Sequence, residues 1–376
     1  WMTYCMVVGF SVTYLLSCGY SNSEAGYILA SANICALILQ PFFADLADRS
    51  KKINAMTIFL VSIEIIFVCS IGLFFIGVRS LILTLIYVVM ITLANAVIAF
   101  LTSIQFLMDT SKSKINFGLC RAGGSLCFAI LSALIGIMIE RIGMKSIPLA
   151  LFIITLLIIG LCIFITRHSI NGNIKAVLTL EKKRSSSLFV FFKENPRFMI
   201  LSIAMLFIYY AHAFITNFTI SIVRNVGGDN REMGYLIAFM ALMELPGMIG
   251  FKEISRRFKV SSLLLFSMIM FSIKAIIVWL SPSLMTLTFG FALQVVSFAI
   301  YIPASVQYAN IIIDEKDTVK AQMMFNLMQT GGAVFSSIIG GLLIDFSGIS
   351  HALLVGAILS CIGTVIAFAG IQNTKR

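Results

Sequence analysis

The stretch GYILASANICALILQPFFADLADRSKK, residues 26–52, contains the pattern that decides the fold. It carries no charge through residue 44 and then ends in two acidic and three basic residues. About 20 consecutive, mostly apolar residues are needed for a helix to cross a hydrocarbon core about 30 Å thick. The stretch therefore predicts a membrane-spanning helix that ends in a charged turn at the membrane surface.

The rest of the chain repeats this pattern. Of its 376 residues, 60% are hydrophobic and 11% are charged, whereas soluble domains contain roughly 25% charged residues. Backbone groups in lipid must pair within their own segment unless a barrel closes, and period-2 alternation is absent, so the apolar blocks predict helices. Twelve blocks are predicted, at 1–19, 26–47, 53–77, 81–108, 118–139, 147–166, 198–223, 235–251, 260–280, 284–313, 321–345 and 351–371. We therefore expect an all-α membrane protein with twelve transmembrane helices. Because the sequence begins at Trp1 rather than Met, further residues are expected to precede it.

The net charge of +11 is concentrated in alternate loops. If both termini lie on one side of the membrane, that side holds 20 Lys and Arg residues and the other side holds five. This asymmetry follows the positive-inside rule and predicts a multi-pass protein of the cytoplasmic membrane with both termini in the cytoplasm. Topology in the lipid bilayer explains the excess charge, so no nucleic-acid partner is expected.

The sequence lacks motifs for enzymatic or cofactor chemistry. Its eight cysteines lie in apolar blocks without the spacing of a metal site, and they are expected to be packing residues. Neither the G-x-x-x-x-G-K-[ST] signature of nucleotide binding nor an H-E-x-x-H cluster occurs. We therefore expect no metal, no cofactor and no enzyme activity.

A polar stretch divides the twelve blocks into six and six. It predicts an N-terminal bundle at 1–166, a cytoplasmic central loop at 167–197 and a C-terminal bundle at 198–376. GYILA at 26 corresponds to GYLIA at 234 with an offset of 208, and GIMIERIG at 136 corresponds to GLLIDFSG at 341 with an offset of 205. Similar offsets at corresponding helices predict two pseudo-symmetric six-helix bundles arranged as parallel repeats.

Twelve helices, a 6+6 repeat and a D-R-x-x-K turn after the second helix resemble the major facilitator superfamily. Within it, residues 21–52 and the stretch FGLCRAGGSLCFAILSALIGI at 117–137 resemble the oligosaccharide:proton symporter family of the lactose permease. The resemblance implies a major facilitator fold and a secondary active transporter. Its two halves would rock about a central site, so that access alternates between the membrane faces.

The resemblance also implies two solute-binding residues in the fifth span. Arg121 stands where the family has its sugar-binding arginine, and Phe128 stands where the lactose permease has the tryptophan that stacks on the sugar ring. Seven residues are two helical turns, so both side chains are expected on one face. An aromatic ring beside an arginine suits a polyol, because its CH face packs on the ring while its hydroxyls accept hydrogen bonds.

At other family positions this sequence differs. The replacements are Ser103 for a glutamate, Tyr209 and His212 for aspartates, Gln294 for a histidine and Ser297 for the proton-carrying glutamate, while Lys274 matches a basic position. These changes put galactoside recognition and the family's proton relay in doubt. His212, Gln294 and Lys274 remain candidate solute contacts.

Five ionisable residues lie in mid-span, namely Glu64, Arg121, His212, Glu244 and Lys274. A permanent charge there costs roughly 2.5 to 3.5 kcal/mol on insertion scales, so each needs a partner or a wet cavity. Glu244 and Lys274 are expected to pair as a proton switch, because burial and a neighbouring cation act on the acid in opposite directions. Glu64 is the second candidate for proton coupling. The alternatives are a fixed bridge between helices for the pair and a structural hydrogen bond for Glu64.

Other polar features of the spans are less specific. Pro246 closely follows Glu244 and is expected to unwind the eighth helix, which would turn free backbone groups toward the same cavity. Amide side chains occur at Gln307, Asn326 and Gln329. The sequence leaves two roles open for them: contact with a polar solute, or hydrogen bonds that tie helices together.

The charged turn after the second span contains a candidate gate. Asp48, Arg49 and Lys52 follow the superfamily pattern, although its usual glycines are absent, and the corresponding turn of the second half carries Arg257. In the family the acid at the position of Asp48 pairs with neighbouring helix ends, and this contact breaks when the inner face opens. A merely solvated turn is the alternative.

Together these features predict a secondary active transporter for a small polar solute, most simply a sugar or related metabolite. Proton-coupled symport is expected because carboxylates lie within the spans. A multidrug or metabolite exporter, a nucleoside transporter and a non-transporting sensor of the same fold are the alternatives. A monomer is expected.

Overall fold

The structure is a computed structural model that describes residues 1–49, 55–110, 117–168, 188–314 and 317–374. Within these ranges the regular elements are helices and no strand occurs. The spans are α1 (Met2–Tyr4, the π-helical turn Cys5–Gly9, and Ser11–Ser17), α2 (Asn22–Arg49), α3 (Ala55–Phe75), α4 (Leu81–Thr110), α5 (Phe117–Ile142), α6 (Ser146–His168), α7 (Pro196–Asn217 and Thr219–Asn225), α8 (Asn230–Arg257), α9 (Val260–Leu280), α10 (Leu284–Ala292, the 3₁₀ turn Leu293–Val295, and Phe298–Ile312), α11 (Thr318–Ser347) and α12 (Ile349–Gly370). A short helix, Leu188–Glu194, precedes α7 within the predicted central loop.

Eleven helices in the described part of the chain are long and apolar enough to cross a membrane. The first predicted span differs from the other eleven. α1 is helical, but it is interrupted by the π-helical turn and again at Phe10, so its pieces are short. The all-α membrane fold is therefore confirmed, with eleven long spans and one broken, shorter one.

The helix bounds agree with the predicted repeat. α2 and α8 each contain 28 residues, and they begin at Asn22 and Asn230, which preserves the offset of 208. α3 and α9 each contain 21 residues. Because both bounds of each pair correspond, the repeat includes whole helices as well as the short motifs that revealed it.

Each half is packed within itself, and two seams join the halves. α2 packs on α4 and α3 on α6 in the first half, while α7 packs on α11 and α12 and α9 packs on α10 and α12 in the second. The seams are α2 against α11 and α5 against α8. These two pairings exchange under the repeat, as expected for halves related by pseudo-symmetry.

Glycines allow the backbones to approach closely at both seams. A Cβ on Gly234 would lie 2.7 Å from the carbonyl oxygen of Ser132, and a Cβ on Gly341 would lie 2.5 Å from that of Asn22. Small residues permit such close helix contacts in a membrane, where dispersion and hydrogen bonds must supply most of the association energy. Larger side chains at these two positions would push the halves apart.

The glycine contacts lie at the end of the molecule where α2 begins and α11 ends, which we call the sealed end. Polar contacts close the same end. The Thr13 hydroxyl donates to the Met233 sulfur over 3.2 Å, and the Arg231 guanidinium lies 3.5 Å from the Glu140 carboxylate. Among the described residues, every hydrogen bond and ion pair between the halves lies at this end or at mid-height of the bundle.

The halves separate toward the opposite end. On α11, Ser337 contacts Gly26 of α2. Thr330, Asn326 and Met323 continue the same helical face away from the sealed end. Met323 is 58% exposed and Asn326 is exposed as well. The face of α11 that touches α2 at the sealed end is therefore uncovered further along.

The structure corrects the expected position of the unwound backbone. α8 remains helical through Pro246, so the prediction of a break there is wrong. The break lies in α10, where a 3₁₀ turn at Leu293–Val295 is followed by two residues outside the helix. A proline removes one backbone donor, but a helix in a packed bundle tolerates that loss when neighbouring groups compensate.

Candidate functional site

Four buried side chains form a chain of hydrogen bonds at mid-height, which we call the polar relay. The Lys274 amine donates to the Gln294 carbonyl oxygen over 2.6 Å. The Gln294 amide donates to one Glu244 oxygen over 3.2 Å, and the Ser125 hydroxyl donates to the other over 3.0 Å. The relay thus runs from α9 through α10 and α8 to α5, and its last bond joins the two halves.

The four side chains of the relay are all withdrawn from solvent. Glu244 is the most accessible at 8% exposure, whereas Lys274 and Gln294 are each 1% exposed. The Lys274 amine also lies 3.8 Å from the Met240 sulfur and 5.5 Å from the centre of the Phe291 ring. Burying polar groups this deeply costs free energy unless they are hydrogen-bonded. The loss of any one bond in the relay would therefore be strongly destabilising.

The break in α10 positions the centre of the relay. Gln294 is the middle residue of the 3₁₀ turn, and the chain resumes its helix only at Phe298. The turn places the Gln294 amide between Lys274 and Glu244. Interrupted helices are a common way to build solute and ion sites at the midplane of transporters.

The predicted pairing of Glu244 with Lys274 needs correction. Lys274 forms no salt bridge within 4.0 Å of a carboxylate among the described residues, and Gln294 stands between it and Glu244. An amide can donate to the acid and accept from the amine at the same time. The two groups are therefore coupled through a neutral side chain rather than paired directly.

His212 belongs to an aromatic cluster beside the relay. Its ring stacks on Phe298 at 5.0 Å and meets Phe271 and Tyr209 edge-on at 5.2 and 5.4 Å. Tyr301 closes the cluster against Tyr209 and Phe271. The Nδ1 atom of His212 is buried without a described hydrogen-bond partner. The cluster therefore contains flat rings and one buried ring nitrogen without a described partner.

The two predicted residues of α5 lie near the relay along the helix. Arg121 precedes Ser125 by one turn on the backbone of α5, and its side chain lies outside the described part of the structure. Phe128 is half-buried between the halves, where it packs beside Ala129, Ala238 and Ala241. A Cβ on Gly9 of the π-helical turn would lie 3.4 Å from the Phe128 ring. Phe128 therefore lies where α1, α5 and α8 meet.

Glu64 lies apart from the other predicted residues. It is exposed on α3 and shares a helical face with Val61 and Val68, which are 47% and 65% exposed. That face is turned outward, away from the seams. The structure therefore does not bring Glu64 together with Glu244.

The predicted gate falls mostly outside the described residues. Asp48 and Arg49 are the last two residues of α2, but their side chains are not described, and Lys52 lies outside the described ranges. Arg257 is the last residue of α8 and is exposed. Both helix ends lie opposite the sealed end, so the backbone is compatible with a gate there.

Several polar contacts between the spans involve uncharged side chains, which the pattern of charges does not predict. The Asn95 amide donates to the Asn33 carbonyl oxygen over 2.9 Å, linking α4 to α2. Ser125 was passed over beside Arg121, although hydroxyls commonly bond between membrane helices. Uncharged asparagines in mid-span were the available signal for the first pair. No cluster of three or more His, Cys, Asp or Glu side chains suited to a metal occurs in the described ranges.

Two packed helical halves, a seal at one end and a buried polar relay between them define a transporter of the alternating-access class. The chain belongs to the MFS_1 like family, whose model matches residues 5–355. This confirms the predicted superfamily.

Known relatives are distant in sequence and close in fold. The maltose permease of Geobacillus stearothermophilus is 21% identical over 347 residues, which cover 92% of this chain and 85% of that protein. A crystal structure of the nucleoside transporter NupG superposes with a TM-score of 0.74 at 13% identity, covering 98% of this chain and 95% of that one. An inward-facing bacterial homolog of the human lysosomal transporter Spinster gives 0.68 at 13% identity, covering 98% and 93%.

Proposed function

We propose that this protein is a proton-coupled symporter that moves a small polar solute, most simply a sugar, by alternating access. The observation that carries the proposal is the hydrogen bond from Ser125 to Glu244. It joins the halves at mid-height, and its acceptor is an ionisable group. The charge state of one carboxylate is thereby linked to the contact between the halves.

The chemistry of Glu244 explains how a proton would be coupled to movement. As a carboxylate, Glu244 accepts hydrogen bonds from both Ser125 and Gln294. Hydrogen bonds to charged acceptors are roughly twice as strong as neutral ones. Protonation removes that charge, weakens the bond between the halves and makes one oxygen a donor. A solute that engages Ser125 or Gln294 changes the same balance, so solute and proton are linked.

The charge bias of the loops supports an orientation. With both termini in the cytoplasm, the sealed end faces outward and the separated end faces the cytoplasm. The structure then represents an inward-facing state. Asp48, Arg49, Lys52 and Arg257 would close the cytoplasmic end in the opposite state, with 1–166 and 198–376 moving as the two bodies.

Two further arguments support a polar solute. The maltose permease among the relatives is a sugar transporter by name, and a sugar needs the mixture of amide, hydroxyl and aromatic groups found around the relay. Phe128 would pack against the solute from the first half, and Arg121 would donate to it. Gln294, Lys274 and His212 would contact it from the second.

Reconstituted vesicles provide the test, with radiolabelled maltose and uridine as probes. Glu244→Gln preserves the side-chain shape but removes the proton site, so it should abolish gradient-driven accumulation while exchange across the membrane continues. Glu64→Gln is the matched control, because Glu64 is a mid-span glutamate outside the relay, and it should accumulate solute as the wild type does.

Three results would contradict the proposal. Normal accumulation by Glu244→Gln would show that this carboxylate does not couple the proton. Loss of accumulation in Glu64→Gln alone would transfer the coupling role to α3. Accumulation that persists after the proton gradient is collapsed would rule out proton coupling altogether.

The aromatic cluster favours a second candidate, a nucleoside transporter. A nucleobase stacks on flat rings and needs in-plane hydrogen bonds. The His212 ring contacts three aromatic side chains, and its Nδ1 has no hydrogen-bond partner among the described residues. The fold likeness to the nucleoside transporter NupG is compatible with this reading but shows the fold alone. Uptake of uridine that fails in His212→Ala, together with no uptake of maltose, would select this candidate.

A further inference from the structure

We propose that Asn33 and Asn95 form a second solute-binding group on the wall of the central cavity, and that this group holds vicinal hydroxyls of the solute. The inference rests on the proposed transport of a polar solute. It adds to the first half an uncharged donor and acceptor pair, beyond the contacts proposed for Arg121 and Phe128.

The hydrogen bond between the two asparagines leaves complementary groups free. The Asn95 amide nitrogen donates to the Asn33 carbonyl oxygen over 2.9 Å. The Asn33 amide nitrogen and the Asn95 carbonyl oxygen have no described partner, and both side chains are partly accessible. If both amides were flipped, the pair would still offer one nitrogen donor and one oxygen acceptor. The pattern therefore does not depend on how the amides are assigned.

The position of Asn33 on α2 turns this pair toward the space between the halves. Asn33 follows Gly26 by seven residues, which is two turns, so both lie on one helical face. At Gly26 that face touches the backbone of Ser337 on α11. At Asn33 the face lies below the seal, where the corresponding face of α11 carries Thr330 and Asn326. Polar groups thus line both sides of the gap between α2 and α11.

The free groups match a diol better than other small polar groups. One hydroxyl of a vicinal diol can accept from the amide nitrogen while its neighbour donates to the carbonyl oxygen. A carboxylate would meet the carbonyl oxygen unfavourably, and an ammonium would meet the amide nitrogen unfavourably. Sugars and ribonucleosides both carry vicinal diols, so the assignment holds for either solute class.

Another hydrogen bond already ties α2 to α4 one turn away from the asparagine pair. The Thr92 hydroxyl donates to the backbone oxygen of Ala32 over 3.2 Å, which links the same two helices beside the amide pair. Thr92 is 9% exposed and offers nothing to the cavity. Thr92→Val is therefore the matched control for loss of a tie between α2 and α4 without loss of a cavity-facing group.

The first experiment tests whether the pair faces water. Asn33→Cys and Asn95→Cys, each in a protein whose native cysteines have been replaced, should react with a charged methanethiosulfonate reagent in vesicles. Ile38→Cys is the control on the outward face of α2, where the native side chain is 72% exposed, and lipid should protect it. Failure of both asparagine positions to react would overturn the inference.

The second experiment measures binding in the purified protein with maltose, uridine and 2′-deoxyuridine. Each single variant, Asn33→Ala or Asn95→Ala, should raise the Kd of a diol-bearing probe about three- to tenfold, as expected for one lost neutral hydrogen bond. Where uridine binds, the wild type should prefer it to 2′-deoxyuridine, and the variants should lose much of that preference. Thr92→Val should lower the melting temperature and leave the Kd unchanged.

The outcomes separate this inference from the proposed function. Binding of maltose or uridine that is equal in the wild type and in both alanine variants would overturn the role of the pair and leave polar-solute transport standing. Absence of binding by both probes in the wild type would overturn the diol assignment together with the solute class. A Kd change in Thr92→Val as large as in Asn95→Ala would assign the effect to the helix tie.

Discussion

The starts of α2 and α8 correspond in the repeat and both carry a capping box, yet only α2 also uses an acceptor from the other half. A helix start exposes backbone N–H groups that need acceptors, and the helix dipole favours negative charge there. α8 supplies its own acceptor. Asp229 accepts from the N–H groups of Arg231 and Glu232 at 2.7 and 3.3 Å, and the Glu232 side chain accepts from Asp229 N–H at 3.0 Å.

α2 depends on the other half of the molecule for part of its cap. Ser21, at the position of Asp229, forms the corresponding reciprocal box: it accepts from the N–H of Glu24 over 3.2 Å, and its own N–H donates to the Glu24 carboxylate over 3.0 Å. The N–H groups of Asn22 and Ser23 donate instead to Asp345 at the end of α11, over 3.2 and 2.7 Å. The side chains of Asn22 and Ser23 donate to the same carboxylate over 2.9 and 2.5 Å.

The α5–α8 seam has a weaker contact at the corresponding place. Because Asp229 already caps α8, Glu140 at the end of α5 meets, among the described residues, the Arg231 guanidinium alone, at 3.5 Å with both side chains 47% exposed. Such surface pairs contribute about 0 to 1 kcal/mol. An N-cap carboxylate contributes about 0.5 to 2 kcal/mol. Both helices thus carry an internal box, but α2 also receives a carboxylate from the other half, and that contact holds the halves together.

The largest expected effect comes from breaking the backbone contact that both seams share. Gly26→Val on α2 would place side-chain atoms against the carbonyl group of Ser337. Overpacking typically costs about 1 to 3 kcal/mol, occasionally more. The cost should be high here, because the backbone of α11 cannot move aside as easily as a side chain. We expect the sealed state to be disfavoured about tenfold or more. The measurement is alkylation of Thr13→Cys, a position that is 0% exposed in the sealed state, in purified protein lacking its native cysteines.

Gly160→Val is the matched control for that substitution. A Cβ on Gly160 of α6 would meet no atom within 4 Å. The control carries the same loss of helix propensity without the collision. Alkylation that is equally fast in both variants would show that helix propensity, and not the seam, governs the sealed end.

The repeat was predictable from sequence because each helix keeps the same offset from its counterpart at both ends. GYILA and GYLIA are local patterns, and the bounds of α2 and α8 follow from them. The caps were not predictable, since Asn22 and Asp345 are separated by 323 positions and only packing brings them together. Glu140 and Asp345 occupy the same position in GIMIERIG and GLLIDFSG, but sequence could not show that Asp345 meets backbone and Glu140 a side chain.

The candidate site was predictable in part for similar reasons. Glu244 and Lys274 are unusual within apolar spans, so their types alone identify them. Gln294 as the link between them depends on the break in α10, and no glycine or proline lies within that turn to signal it. Pro246 gave a strong local signal that tertiary packing overrode.

The second prediction concerns a substitution that removes the cap contact between the halves. Asp345→Ala deletes the acceptor for the backbone of α2, and the sealed end should open about three- to tenfold more often, as expected for an N-cap worth roughly 1 kcal/mol. Alkylation of Thr13→Cys again provides the measurement. Glu140→Ala is the matched control, because Glu140 occupies the corresponding helix end, and its effect should be smaller. Equal effects would show that backbone capping adds nothing to charge at these ends.

The smallest effect is expected from a double variant that distinguishes the stability of α2 from the closure of the seam between α2 and α11. In an Asp345→Ala protein, Ser21→Asp replaces the hydroxyl acceptor of the α2 cap with the carboxylate that Asp229 supplies at α8. Helix stability should recover by about 1 kcal/mol, seen as a higher melting temperature, because the free N–H groups regain an acceptor. Alkylation of Thr13→Cys should remain fast, since the new carboxylate belongs to α2 and holds nothing on α11. If alkylation also slowed to the wild-type rate, the stability of α2, rather than the bond across the seam, would determine how often this end opens.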